Sequence, residues 1–228
     1  WLMSTVLFDS IKAQAKDTDS VLVGFSGGKD SIVTLDLCFR YFKRVQPFFM
    51  YIVPDLSFQA HIISWYENKY QTKIICVPHF DTSTFFRYGS FCMADDTVPI
   101  ISINDIYHWL RVKTGIWWIA AGERASDSIV RNAMIKHSGS IDVKRGRLYP
   151  IAYWKKKEVM QYIKYHKLKL GADSKLLNFS FKSLDGHELK MVKDNFPEDF
   201  EKIKNLYPLC EAAVRRVEHY GKEQISKL

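Results

Sequence analysis

Six consecutive residues, Ser26-Gly27-Gly28-Lys29-Asp30-Ser31, put two glycines, a cation, a carboxylate and two hydroxyls on one short stretch of chain. Glycines lack a Cβ and reach positive φ, so the backbone amides of such a turn can close on a ligand. A helix that starts there aims its unpaired amides and positive dipole end at the same point. Lys29 adds a full charge, and Ser26 and Ser31 add hydroxyls that bond phosphate oxygens. The chemistry indicated is the holding of an oxyanion. The spacing fits neither the phosphate loop G-x-x-x-x-G-K-[ST] nor the dinucleotide fingerprint G-x-G-x-x-G.

Such a turn needs a strand before it and a helix after it. Val21 to Phe25 is short, apolar and β-branched at Val21 and Val23, as in a strand covered on both faces of a parallel sheet. Ile32, Val33, Leu35, Leu37, Phe39 and Phe42 then return at helical spacing. Apolar runs at Phe48 to Val53, Lys73 to Val77 and Ile116 to Ala121 predict three more strands, and RGRLYPIAYW is a fifth extended stretch. Helices are predicted over HIISWYENKY, SINDIYHWLRVKTG and Lys155 to His166. The alternation predicts an α/β fold with an open, mainly parallel sheet of about five strands and helices on both faces.

Ligands of such sheets bind beyond the carboxyl ends of the strands. Ser26, Asp55, His79 and Glu123 are therefore expected on one edge. Gly122 would permit close backbone approach, and Arg124 and Arg131 would face an anionic substrate, Arg131 being equally readable as a solvated helix charge. The segment FDTSTFFRYGSFCMADDTVP is too polar and punctuated for regular structure and is expected to be a long functional or mobile loop. Asp199 to Tyr220 reads as one helix with Arg215 and Arg216 on it. The expected division is a nucleotide-binding domain over 1–169 and a mostly helical extension over 170–228 packed on it or arching over the sheet edge.

The 228 residues, 47% hydrophobic, suffice for one sizeable core. No run of eighteen apolar residues occurs, and the opening WLMSTVLFDS lacks the basic region and cleavage site of a secretory signal, so a cytoplasmic protein with no membrane partner is expected. Met3 is a candidate natural start, with Trp1 and Leu2 as an added remnant. The cysteines, Cys38, Cys76, Cys92 and Cys210, form no C-x-x-C pair, so neither a disulfide framework nor a zinc or iron–sulfur site is legible. The net charge of +8 concentrates around VKRGRLYPIAYWKKK, which fits a polyanionic partner or a solvated basic face.

The string SGGKDS resembles the complete S-G-G-x-D-S signature of the PP-loop ATP pyrophosphatases, which cleave ATP between its α- and β-phosphates. VPDLSF is similar to the acidic residue and helix entry after strand two of the phosphoadenosine phosphosulfate reductase branch. AGERASDSIVR with GRLYPIAYWKKKEV is similar to that branch's G-x-R-x-x-x-S-x-x-R and L-P-I-x-x-W segments, so the likeness spans roughly Val21 to Leu170. The resemblance implies an adenine nucleotide alpha hydrolase-like fold, with ATP and Mg2+ as cofactors and no iron–sulfur cluster. It implies ATP contacts from Phe25, Ser26, Gly27, Gly28, Lys29, Asp30, Ser31, Asp55 and Gly122, with Lys29, Asp30, Arg124 and Cys92 as catalytic residues. Lys29 and the turn would hold the departing pyrophosphate, Asp30 would order the loop or the Mg2+ carried by the phosphates, and Arg124 would stabilise charge at the α-phosphate.

The branch holds sulfonucleotide reductases, the small subunit of ATP sulfurylase and the ATP pyrophosphatases of DNA phosphorothioate modification. Sulfonucleotide reductases share a C-terminal E-C-G-L-H segment; here the last cysteine sits in YPLCEAAVRR, which disfavours reduction. DNA phosphorothioation fits best, with DNA as acceptor, a cysteine desulfurase as sulfur donor and other modification-system subunits as partners; a homodimer is left open. Cys92 would carry a persulfide or stand as a small inert hydrophobe, and the remaining cysteines would be core. The alternatives are a sulfonucleotide reductase, a non-catalytic ATP- or nucleic-acid-binding module, a tRNA thiolase and a phage nucleotide-modifying enzyme.

Overall fold

The computed structural model describes residues 11, 18–177 and 179–225; the WLMSTVLFDS segment and its candidate start lie outside the described residues. β1 (Ser20–Gly24) is followed by α1 (Lys29–Tyr41), β2 (Arg44–Tyr51), α2 (Ser57–Tyr70) and β3 (Ile75–Pro78). Then come α3 (Phe80–Tyr88), α4 (Ile103–Thr114), β4 (Ile119–Ala120), α5 (Ile129–Ser138), β5 (Ile141–Asp142), β6 (Arg147–Leu148) and α6 (Lys156–Tyr165). The chain ends in α7 (Ala172–Leu177), α8 (Gly186–Asn195), α9 (Pro197–Leu206) and α10 (Glu211–Ile225). The strands form one open sheet in the order β3-β2-β1-β4-β6-β5, parallel except for the edge strand β5.

The period-two rule explains why β1 reads as a continuous apolar run. Val21, Val23 and Phe25 enter the core under α1, α2 and α6, while Leu22 joins Phe48, Ile106, Leu110 and Ile119 on the opposite face. Both faces are covered, as expected. A third apolar cluster joins Ile52, Val53, Leu56 and Phe58 to Phe181, Leu189, Phe200, Tyr207 and Cys210, so the C-terminal helices are cemented to the end of β2 and the start of α2. Among the described residues no helix is long and apolar enough to cross a membrane.

The expected open, mainly parallel sheet of about five strands is present with six, the sixth formed where Ile141 and Asp142 fold back on Leu148 and Arg147 through a turn closed by Gly146 at φ 62. Three expectations are corrected. The first part of the expected long loop is helical: Thr82, Ser83 and Thr84 donate their hydroxyls to the carbonyls of His79, Phe80 and Asp81, so polar side chains that read as loop are satisfied inside a helix. The single helix over Asp199 to Tyr220 is two, since Pro208 has no N–H to give and restricts Tyr207 before it. Cys76, expected in the core, is exposed on the edge strand β3.

Candidate functional site

β1 pairs with β2 on one side and β4 on the other, so the chain reverses its direction of growth between β1 and β4. At that switch point the loops leaving two neighbouring strands diverge and open a crevice. A cleft of about 540 Å³ lies there. Ser26, Lys29, Asp30 and Ser31 line it from β1, and Gly122, Glu123 and Asp127 line it from β4. His79, Ile103, Tyr107 and Phe48 give it an apolar end.

Gly27 takes φ 72, which only glycine adopts cheaply, and turns the chain into α1. Gly28 is the N-cap of α1 and offers no side chain, so the first amides of a 13-residue helix face the cleft without a cap. The serines brace the turn: Ser31 Oγ accepts from the Ser26 amide at 3.1 Å and donates to the Gly28 carbonyl at 2.9 Å. Lys29 Nζ rests on Asp30 Oδ2 at 2.7 Å. At Gly122 a Cβ would stand 2.8 Å from the Asp30 carbonyl carbon and 3.0 Å from the Ser31 amide, so the β4 loop packs backbone to backbone against the start of α1. That close approach is the reason for glycine at this position.

Arg124 departs from expectation. It is 5% exposed and does not line the cleft. Its Nε lies 2.9 Å from Asp30 Oδ1, its Nη2 lies 2.5 Å from Asp127 Oδ1, and its Nη1 donates to the Trp154 carbonyl at 3.4 Å. The guanidinium therefore sits behind the cleft wall and clamps two carboxylates that line it. The Asp30 contact is poorly aligned as a hydrogen bond, which leaves Asp30 Oδ1 without a hydrogen-bond donor in a buried position, and Glu123 Oε2 is likewise buried and unpaired. Asp30 Oδ1 is thus held by charge rather than by an aligned hydrogen bond. Asp127 was not singled out from sequence, although its i,i+3 spacing from Arg124 is a salt-bridge signal.

The roof of the cleft comes from the C-terminal segment. Phe179, Ser180, Phe181 and Lys182 line it, Ser180 Oγ donates to Ser26 Oγ at 3.3 Å, and Ser174 Oγ donates to the Gly27 carbonyl at 3.1 Å. Two buried carboxylates hold this strap. Asp173 accepts from the Phe181 amide and Glu188 from the amides of Lys182 and Ser183. Burial holds the Asp173 carboxyl above the usual aspartate value even though backbone amides bond it. Nothing local in F-S-F-K marks these residues as cleft-lining; only the tertiary packing brings them over the turn.

The remaining expected residues fall in different places. Phe25 reaches the cleft but is 2% exposed and packs edge-on against Tyr66, so it is mainly core. His79 lines the cleft, and its ring accepts the Asp81 amide as the N-cap of α3. Arg131 lines the mouth and leans on Asp127 at 3.5 Å. Asp55 does not line the cleft: it is exposed at φ 57, and its carbonyl accepts from Lys202. Cys92 does not line it either, since the residue packs against the C-terminal cluster, donates to the Phe85 carbonyl and has its thiol pushed up by burial. Cys210 is core, as expected, with its thiol pushed up to about 11 by burial. The basic run from Val143 to Lys157 is divided, because Lys144 and Arg145 precede β6 at the amino ends of the strands while Ala152 and Trp154 contact Ala125 and Arg124 at the carboxyl ends.

The phosphoadenosine phosphosulfate reductase domain model matches residues 20–184. No protein of curated function matches the chain in sequence. Among solved structures, the phosphoadenylyl-sulfate reductase of Candida auris, a phosphate complex, is 14% identical with a TM-score of 0.50, covering 76% of this chain and 85% of that one. The U34-tRNA thiolase NcsA of Methanococcus maripaludis, with its [4Fe-4S] cluster, is 15% identical with a TM-score of 0.47, covering 93% of this chain and 79% of that one. The ammonia-dependent NAD synthetase of Campylobacter jejuni, in complex with nitrate, is 15% identical with a TM-score of 0.47, covering 95% and 94%. At these identities the likeness concerns the fold alone. The cofactor expectation, ATP and Mg2+ without an iron–sulfur cluster, is corrected by the thiolase: a chain similar to this one carries a cluster, and scattered cysteine spacing does not exclude one, because folding can gather distant residues. In this chain Cys38 lies on α1 and Cys76 on β3, while Cys92 and Cys210 lie in loops against the same apolar cluster, and no group of three or more His, Cys, Asp or Glu suited to a metal ion occurs among the described residues. The strand, the glycine turn, the β4 loop and the strap that closes over them all fall within the matched residues, and the chain belongs to the phosphoadenosine phosphosulfate reductase domain family.

Proposed function

We propose that the chain is an ATP pyrophosphatase that adenylates a phosphate acceptor for sulfur transfer, in the setting of DNA phosphorothioate modification. The observation that carries this reading is the uncapped start of α1, which faces a cleft together with Lys29, Ser26 and Ser31 while Gly122 packs directly behind it. The acceptor oxygen attacks the α-phosphorus, the bond to the bridging oxygen breaks, and pyrophosphate leaves with the electron pair. The amides of Lys29, Asp30 and Ser31 and the Lys29 ammonium are where that charge is held. Lys29 exchanges Asp30 for the phosphates, and Arg131 and Lys182, at the mouth, meet the charge of the acceptor. The outer sulfur of a donor persulfide then attacks the activated phosphorus and AMP leaves. A second donor thiol takes the inner sulfur as a disulfide, which leaves one sulfur on phosphorus.

The sulfur comes from a partner protein such as a cysteine desulfurase, because the Cys92 thiol is off the cleft and disfavours its thiolate. The sulfonucleotide reductase reading needs an accessible nucleophilic cysteine near the C-terminus, and Cys210 is fully buried. The experiment supplies ATP, duplex DNA, a cysteine desulfurase and sulfur-labelled cysteine, then recovers nuclease-resistant linkages by mass spectrometry. Labelled phosphorothioate linkages are expected. Label in RNA alone would replace the DNA acceptor, and sulfite release from a sulfonucleotide would replace the whole reading.

A further inference from the structure

Around the carboxyl-terminal half of α4, opposite the cleft, exposed aromatic rings and cations stand on two flanks of the helix, Trp109 with Lys113 on one and Trp117 with Arg111 and Arg145 on the other, beside the amino ends of β4 and β6. Trp109 and Trp117 are 46% and 52% exposed. Each carries a cation on its ring: Lys113 Nζ lies 4.6 Å from the Trp109 centroid and the Arg111 guanidinium 4.0 Å from that of Trp117. Arg111 also donates to the carbonyls of Trp117 and Arg145, which ties the β5–β6 turn to α4. Gly146 makes that junction possible, since a Cβ there would stand 2.5 Å from the Trp117 ring nitrogen. Arg44 joins from β2 by donating to the Thr114 carbonyl.

The charge on this surface is one-sided. Arg44, Arg111, Lys113, Lys144 and Arg145 contribute cations, and Asp142 is the one carboxylate that pairs with any of them among the described residues. Aromatic faces alternating with cations suit a strand of unpaired bases, because each base offers a π-face to a ring and each phosphate a charge to a side chain. A duplex keeps its base faces stacked inside and could use only the cations.

We propose that Trp109, Trp117, Arg111, Lys113, Lys144 and Arg145 form a docking surface for single-stranded nucleic acid, separate from the cleft. The surface does not depend on the ATP reading, since it lies at the other end of the strands and shares no residue with the site. The test measures fluorescence anisotropy of a labelled oligothymidylate with the full chain at two salt concentrations. Wild-type binding should weaken as salt rises. The double variant Trp109→Ala/Trp117→Ala should bind at least about fivefold more weakly. Lys113→Glu/Lys144→Glu, at exposed positions, should also weaken binding and flatten its salt dependence. Both variants should unfold cooperatively near the wild-type midpoint. The proposal is overturned by a wild type with no salt-sensitive binding, by unchanged affinity in either double variant, or by duplex binding as tight as single-strand binding. It is also overturned if sedimentation shows a wild-type dimer that Trp109→Ala/Trp117→Ala dissolves, which would make the surface a contact between two copies.

Discussion

Replacing Arg124 by alanine separates two accounts of the same conspicuous residue. In the geometry described, its guanidinium lies 2.9 Å from Asp30 and 2.5 Å from Asp127 at 6% side-chain exposure, while the two carboxylates are 21% and 16% exposed. Removing one partner of a buried ion pair typically costs about 3–5 kcal/mol, because the charge left behind is uncompensated. Here two carboxylates are left behind, but each keeps some contact with water and a second cation, Lys29 beside Asp30 and Arg131 beside Asp127, so Arg124→Ala should lose no more than the lower end, about 3 kcal/mol. Urea unfolding followed by intrinsic fluorescence reads this as a lower midpoint with an unchanged slope. In a double-mutant cycle with Asp127→Ala, the pair should couple by about 0.5–3 kcal/mol. Pyrophosphate release should fall as well, since Asp30 heads the helix whose amides line the cleft. If Arg124→Ala instead keeps wild-type stability and loses only turnover, the guanidinium meets substrate and the positioning account is wrong.

Gly122→Ala should lower ATP turnover by a factor of about ten to a hundred, since its Cβ would stand 2.8 Å from the Asp30 backbone and must displace the turn; steady-state kinetics at wild-type level would show that the close packing is dispensable. Cys92→Ser should leave both pyrophosphate release and sulfur incorporation intact, and loss of sulfur incorporation alone in that variant would return the persulfide to Cys92. Burial holds the His79 imidazole below its usual value, with Asp81 opposing the shift. The unfolded chain then binds more protons than the folded one, so this contribution to stability is present above the ordinary histidine value of about 6.5 and is lost as pH falls through the lower folded value. Protonation also removes the ring lone pair that accepts the Asp81 amide. Urea midpoints across that window should therefore slope less in His79→Asn than in the wild type; equal slopes would exclude His79 as a source.

The strand-turn-helix around Ser26 to Ser31 was legible because everything that defines it is local: an apolar run, two glycines and a helical pattern within some twenty residues. The rule that ligands bind beyond the carboxyl ends of parallel strands placed Ser26, Asp55, His79 and Glu123 on one edge, and the cleft includes all of them except Asp55. What local pattern could not reveal is where long side chains go. Arg124 stands two residues after Gly122 and reads as ligand-facing, yet its guanidinium turns behind the wall to Asp30 and Asp127. An extension arching over the sheet edge was expected, but Ser180 and Lys182 could not be picked out as the residues lining the cleft, because the strap is positioned by buried Asp173 and Glu188, whose partners are backbone amides. Asp55 was assigned from its place after the second strand and Cys92 from its place in the expected long loop; Asp55 is exposed off the cleft, and packing against the C-terminal helices takes Cys92 away from it.

The central claim is cleavage of ATP between the α- and β-phosphates on the turn headed by Lys29. Its most direct test is chromatography of the products from γ-labelled ATP, run with wild type and Lys29→Ala. The account predicts label in pyrophosphate, with the rate reduced about ten- to a hundredfold in Lys29→Ala, as expected for loss of a charge-assisted contact worth about 1.5–3 kcal/mol. Label recovered as orthophosphate, or pyrophosphate release unaffected by Lys29→Ala, would contradict it.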